Sequence, residues 1–288
     1  MSGTVFAQAM QHRGKGLATM YLETVDQLAN TAAAKAGFLR RRPGGFFVSS
    51  MMAGAFIGLG IILIFSLGSD VDPAYRSIVM GATFGVALTL VVFAGADLFT
   101  GHTMLMTHGV LRKKASLGDL IGCWTVSWAG NLAGCIVLAL IFIWGGGGAL
   151  LHSKSQWLMS VATAKETAPV LSLVARATLC NWLVCLAIWM SARTSNDAAK
   201  CILIWWCLFA FIGSGYEHSI ANMTLFLIAL LGDHPATVTW GGLVYNLFWV
   251  TIGNIIAGAG IMGIGYWYVS RPAAEALPAA APMAEAAE

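Results

Sequence analysis

Six long apolar runs constrain this chain more than any other feature of it. They start near Phe46, Ile78, Leu120, Pro169, Cys201 and Leu243. Each is near or above the ~20 residues that an α-helix needs to cross the hydrocarbon core of a bilayer. Charged residues make up only 10% of the chain, against about a quarter in a soluble domain. The expected fold class is therefore an all-α membrane protein with six transmembrane helices. The first apolar run begins too late for a cleavable signal peptide.

Two of the runs are interrupted. The second breaks at Gly95-Ala96-Asp97-Leu98-Phe99-Thr100-Gly101-His102, and the fifth at Ser214-Gly215-Tyr216-Glu217-His218-Ser219-Ile220-Ala221-Asn222. An ionisable side chain facing lipid costs several kcal/mol, so both stretches are expected inside the bundle. There the freed backbone groups can be met by protein or by water in a pathway. The chain also repeats itself. Gly95-Ala96-Asp97 is followed by Gly130-Asn131-Leu132-Ala133-Gly134, and Gly215-Tyr216-Glu217 by Gly253-Asn254-Ile255-Ile256-Ala257-Gly258. The separations, Asp97 to Gly130 and Glu217 to Gly253, are 33 and 36 residues. Each half holds an odd number of spans, so the second copy must be inverted relative to the first. Two inverted three-helix repeats, with spans 2 and 5 broken, form the architecture of a transport pathway.

Charge fixes the orientation. Arg13, Lys15, Lys35, Arg40, Arg41 and Arg42 precede the first span, Arg112, Lys113 and Lys114 follow the second, Arg193 and Lys200 the fourth, and Arg271 the sixth. By the positive-inside rule both termini are expected in the cytoplasm. Residues 1–45 read as an amphipathic helix and a basic linker, with Leu17, Tyr21, Val25 and Leu28 at helical spacing. Such a helix suits the membrane surface or a neighbouring subunit. Residues 46–270 read as the six-span domain, and the Ala/Pro/Glu-rich residues 271–288 as a disordered tail. The six cysteines contain no C-x-x-C pair, so no disulfide framework and no metal site are indicated, and nothing calls for a cofactor. The net charge of +3 is no sign of nucleic acid in a membrane chain. No nucleophile–base pair appears, so the chain is not expected to be an enzyme.

In the two breaks, Gly95, Gly101, Gly213 and Gly215 permit the bend. Asp97 and Glu217 can accept hydrogen bonds from amides of the broken segments, acting as struts; the alternative is proton carriage. Asn131, Asn222 and Asn254 can do similar work between spans. The half-helices created by each break point their amino ends inward, which favours an anion. His218 is the imidazole centred in a break. It is either a histidine satisfied by backbone or a functional group, and its intramembrane place favours function. Such a histidine can donate a hydrogen bond or a proton to a passing weak-acid anion. His102 is a second candidate. Lys165 reads as an exposed loop lysine, and Arg176 as a residue that reaches the interface or pairs with a neighbour. The small-xxx-small pairs Gly54/Gly58, Gly81/Gly85 and Gly130/Gly134 read as packing devices.

Gly95-Ala96-Asp97-Leu98-Phe99-Thr100-Gly101, Gly215-Tyr216-Glu217-His218-Ser219-Ile220-Ala221-Asn222 and Val250-Thr251-Ile252-Gly253-Asn254-Ile255-Ile256 resemble the signatures of the formate–nitrite transporter family. Leu98-Phe99-Thr100-Gly101-His102-Thr103-Met104 and Cys180-Asn181-Trp182-Leu183-Val184-Cys185 look most like its bacterial nitrite channel branch. The resemblance implies an aquaporin-like protomer in a homopentamer of the bacterial inner membrane. It implies that His218 is the central pore histidine and Thr100 its polar counterpart, with Leu98 and Phe99 in the same loop. It places Phe84, Leu88 and Phe211 at apolar constrictions, Lys165 in the vestibule against its bland reading, and Asn181 along the same path. It gives Glu217 the task of steadying the histidine loop. The expected function is passage of small monovalent anions across the lipid bilayer, nitrite first, with formate and hydrosulfide as alternatives. A water- or ammonia-type pore of the same architecture is the remaining reading.

Overall fold

The computed structural model describes residues 3–153 and 155–271, with side chains from Tyr21 onward. The expected disordered tail beyond Arg271 and the side chain of Leu17 lie outside the described residues. Among those residues there are helices and turns and no strand. In chain order the helices are α1 (Gly3–Arg41), α2 (Pro43–Asp70), α3 (Arg76–Ala94), α4 (Phe99–Leu111), α5 (Leu117–Trp144), α6 (Gly148–Leu151), α7 (Ser155–Glu166), α8 (Val170–Ala192), α9 (Asp197–Gly213), α10 (Ser219–Leu231) and α11 (Trp240–Ile255). A π-helical segment (Ile256–Ile264) and α12 (Gly265–Val269) continue the rod begun by α11. Among the described residues five rods are long and apolar enough to cross a membrane: α2, α3, α5, α8 and Trp240–Val269. α9 and α10 are shorter, at 17 and 13 residues, and follow one another across the polar stretch 214–218.

The helix ends follow local chemistry. Pro43 has no amide to donate and its ring presets a helical φ, so α1 gives way and α2 starts with Pro43 as its first residue. Ser116 and Asp119 form a reciprocal capping box at α5. Asn196 accepts from the Ala199 amide to start α9, and Thr239 accepts from the Gly242 amide to start α11. The Glu166 carboxylate accepts from both the amide and the hydroxyl of Thr239 (2.9 Å each). This ties the end of α7 to the start of α11.

Missing side chains set how closely the spans approach. A Cβ at Gly54 of α2 would overlap the Asn131 carbonyl, and one at Gly134 of α5 would overlap the Met51 carbonyl. Backbone cannot yield as a flexible side chain does, so these glycines hold α2 against α5. The second half repeats the device: a Cβ at Gly253 of α11 would lie 2.5 Å from the Val174 carbonyl oxygen of α8. Gly81 and Gly85 do the same for α3 against α9, meeting the Phe209 carbonyl and Trp205. In the π-helical segment, Gly258 and Gly263 face Thr103 and Thr107 of α4.

From Tyr21 onward α1 lies against the chain's own bundle, not away from it. Val25, Leu28, Ala29, Ala32 and Ala36 are buried. Ala32 meets Gly109 of α4, and Arg112 holds Asp26 with two donors at 2.6 and 3.2 Å. The amphipathic pattern marked a face to be covered; the structure covers it with α4 and neighbouring helices rather than with lipid or a second subunit. α1 and α7 sit at opposite ends of α2. Phe46, near the start of α2, meets Phe38 of α1 at 5.8 Å, and Phe65, near its end, stacks on Trp157 of α7 at 4.8 Å.

Candidate functional site

The two polar stretches are built on one plan. α3 ends at Gly95 with φ +78°, and the chain leaves α9 through Gly215 with φ +69°. Those angles strain any residue with a Cβ, which explains glycine at both. Gly101 and Gly213, also expected to permit the bend, take no such angle. Gly101 lies within α4, where a Cβ would meet Ile188 at 2.7 Å, and Gly213 is the last residue of α9. Each new helix then starts from an amide held by an asparagine of a distant span. Asn131 Oδ1 accepts from the Phe99 amide (2.9 Å), and Asn254 Oδ1 accepts from the Ser219 amide (3.0 Å). The Asn131 amide group donates to the Ser50 and Asp97 carbonyls, and that of Asn254 to the Ala177 and Glu217 carbonyls. One orphan donor at the start of each of α4 and α10 is thus satisfied by a side chain of α5 or α11.

The carboxylates do a different job from the one expected of them. The asparagines hold the amides that Asp97 and Glu217 were expected to hold, and the carboxylates meet side chains instead. Asp97 accepts from the Ser49 hydroxyl (2.7 Å), pairs with Lys35 Nζ of α1 (2.6 Å) and faces His102 Nε2 at 3.2 Å. Glu217 pairs with Lys165 Nζ of α7 (2.7 Å) and accepts from Asn222 Nδ2 (2.6 Å). Asn222 is braced in turn by Asn246, which donates to the Lys165 carbonyl. Each loop therefore has an acid, a lysine from a peripheral helix and a polar residue five positions after the acid. Lys165 is not a loop lysine at all: it ends a helix and reaches inward to a carboxylate that is 3% exposed. Lys35 escaped sequence reasoning. Its signal was the second acid, since a matching acid calls for a matching cation, but nothing local to Lys35 marks it.

His218 closes the first turn of α10. Its Nδ1 accepts from the Ala221 amide (3.2 Å), and its Nε2 lies 3.2 Å from Thr100 Oγ1 of α4. With Nδ1 accepting, Nε2 is the nitrogen left to carry the ring proton, a tautomer inferred from these partners. The Thr100 hydroxyl then receives from Nε2 and keeps its own proton to give. The histidine ring lies nearly parallel to Phe211 (5.9 Å, 17°), and Phe211 meets Phe84 edge-on at 5.4 Å. Phe84, Leu88, Leu98, Phe99 and Phe211 are all buried. Asn181 donates to the Asn254 carbonyl (2.6 Å) and to Thr103 Oγ1 (3.0 Å), joining α8, α11 and α4 behind Thr100.

A cavity of about 280 Å³ reaches this centre from the α7 side. Of the anticipated pore residues, Lys165, Phe211 and His218 line it, together with Glu217 and Asn222. Thr100, Phe84, Leu88, Leu98, Phe99 and Asn181 do not. Arg176 also lines it, and none of the ion pairs among the described residues includes that arginine. His102 sits apart from the cavity, against Asp97 and Phe46.

The sequence profile of the formate/nitrite transporters matches residues 22–268. The chain belongs to the formate/nitrite transporter family. It is 53% identical over 260 residues to the nitrite transporter NirC of Escherichia coli strain K12, covering 89% of this chain and 96% of that one. Among solved structures it is similar to an ion channel of the family, with a TM-score of 0.83 at 53% identity over 86% of this chain and 98% of the other. A pentameric formate channel with formate bound matches with a TM-score of 0.68 at 26% identity, over 80% of this chain and 98% of that one. The match to the family spans both polar loops, both asparagines and the two lysines that pair with the loop acids. The chain is a multi-pass membrane protein of a transporter family.

Proposed function

We propose that this chain passes small monovalent weak-acid anions, nitrite foremost, across a bacterial inner membrane by way of His218 and Thr100. The observation that carries the reading is the pair His218 Nε2–Thr100 Oγ1 at 3.2 Å, with His218 on the wall of a cavity that Lys165 also lines. The similarity to the nitrite transporter NirC supports nitrite as the substrate. Its likeness to a pentameric formate channel supports a homopentamer and keeps formate as the nearest alternative.

In this reading the protomer is two inverted three-helix repeats, with α3–α4 and α9–α10 as the broken spans 2 and 5. Both termini are cytoplasmic, so the cavity is the outer vestibule, and the anion meets the Lys165 ammonium on its wall there. The anion leaves water at Phe211, where the aromatic wall of Phe84 and Phe211 penalises charge. It is met by Nε2–H of His218 and by the hydroxyl proton of Thr100, which separate to admit it. Two preplaced donors replace part of its lost hydration. A proton shared along these hydrogen bonds spreads the charge further, and the nearly neutral species crosses the apolar layer of Leu88, Leu98 and Phe99 at lower cost. Asp97, Glu217, Asn222, Asn131, Asn254, Gly95 and Gly215 hold the two loops at the distance that makes this pairing possible.

The test is flux into proteoliposomes of the purified protein. Nitrite entry that rises with protein content, is reduced by formate as a competitor and is unaccompanied by fast water or ammonia entry supports the reading. Fast neutral-solute entry without nitrite entry refutes it.

A further inference from the structure

Lys165 and Arg176 both line the cavity that ends at His218, but only one of them has a counter-charge. Lys165 is neutralised by Glu217 at 2.7 Å. No carboxylate among the described residues pairs with Arg176, an exposed residue of α8 that lines the cavity. The nearby Glu166 is committed to the start of α11 through Thr239. Arg76 is likewise committed, lying over the Trp157 ring at 4.3 Å and donating to the Gly68 carbonyl. Arg176 is thus the uncompensated cation of the cavity wall. A guanidinium differs from an ammonium in kind: it is planar, stays charged, and offers paired donors that match two oxygens held in one plane. An interfacial arginine needs no carboxylate in water, but one on the wall of a cavity where Lys165 and Glu217 offset each other gives that cavity its net sign.

We propose that Arg176 forms an anion subsite on this cavity wall, binding planar monoanions with two oxygens through its donor fork before they reach His218. The subsite rests on the anion-channel reading above and adds to it the residue that sorts anions by shape as well as by charge. A single-centre anion such as hydrosulfide gains the charge but not the fork.

The experiment compares wild type, Arg176→Gln and Arg176→Lys in proteoliposomes, with nitrite and hydrosulfide flux measured against concentration. Loss of a charged, bidentate contact is worth about tenfold in affinity. Arg176→Gln is therefore expected to raise the half-saturating nitrite concentration about tenfold while maximal flux stays within about twofold. Arg176→Lys is expected to raise it several-fold for nitrite and hardly at all for hydrosulfide. An unchanged half-saturation in Arg176→Gln overturns the proposal, as does a Lys variant that treats the two anions alike. Loss of the oligomer on size exclusion with an unchanged half-saturation also overturns it, because it assigns Arg176 to a contact between chains. Wild-type vesicles that pass no nitrite would sink the channel reading instead. The subsite is then judged by equilibrium binding of ¹³C-formate to wild type and Arg176→Gln in detergent, where equal binding overturns it.

Discussion

Replacing Asn254 with alanine removes a group on which the placement of His218 depends. Asn254 is fully buried and its side chain makes three hydrogen bonds, to the Ser219 amide, the Ala177 carbonyl and the Glu217 carbonyl. An average interhelical hydrogen bond in a membrane is worth only about 0.6 kcal/mol, because partners can be exchanged. The Ser219 amide is different. It is the first amide of α10, so no turn precedes it to accept its proton, and leaving it orphaned costs about 1–3 kcal/mol. With about 1 kcal/mol for the Glu217 carbonyl, which lies in the loop, the change costs about 2–4 kcal/mol. The Ala177 carbonyl is inside α8 and loses least. The strain falls next to His218, so nitrite flux should fall at least tenfold together with the melting temperature. Asn254→Asp should not rescue it: Oδ1 still accepts from Ser219, but the second oxygen faces two carbonyls where a donor is needed. Thermal unfolding by size exclusion and nitrite flux on the same preparations give the answer. An Asn254→Ala protein with wild-type melting and wild-type flux would refute the view that this asparagine sets the loop.

Three further outcomes follow from the same geometry. Lys165→Gln leaves the buried Glu217 carboxylate without its cation and should destabilise the protein by about 3–5 kcal/mol, whereas the double change Lys165→Gln/Glu217→Gln should recover most of that in thermal unfolding. Thr100→Val keeps the shape but removes the hydroxyl donor beside His218, and should cut nitrite flux about tenfold, while Thr100→Ser should retain it; stopped-flow flux distinguishes them. Gly134→Val drives a branched side chain into the Met51 carbonyl and should abolish recovery of folded protein, which detergent size exclusion reads directly.

The spans were legible because a run of apolar residues long enough to cross a bilayer has few other fates. The two polar stretches were legible for the complementary reason: polar groups there must be met by protein. The repeated Gly-Asn pairs carried more than their length suggested, since Asn131 and Asn254 perform the same act in each half. What sequence could not supply was the partner of each group. A carboxylate beside a helix start often caps its amides, and the sequence therefore points Asp97 and Glu217 at those amides. The asparagines reach those amides from distant spans, which leaves the acids to Lys35 and Lys165. Nothing near Lys35 distinguishes it from the other basic residues ahead of α2, and only the docking of α1 brings it to Asp97. α6 and α7 carry no long apolar run, so the segment that brings Lys165 inward looked like a loop. The face of α1 was clear from its periodicity, but periodicity says that a face is covered and not by what.

Nitrite flux through His218→Phe is the most direct test of the central claim. Phenylalanine keeps the ring against Phe211 and removes both nitrogens, so the donor to Thr100 and to the anion is lost along with the acceptor for the Ala221 amide. Measured in proteoliposomes across pH, with the oligomer confirmed by size exclusion, the account predicts at least a tenfold fall in flux and a changed pH dependence. Flux unchanged in size and in pH dependence would contradict it.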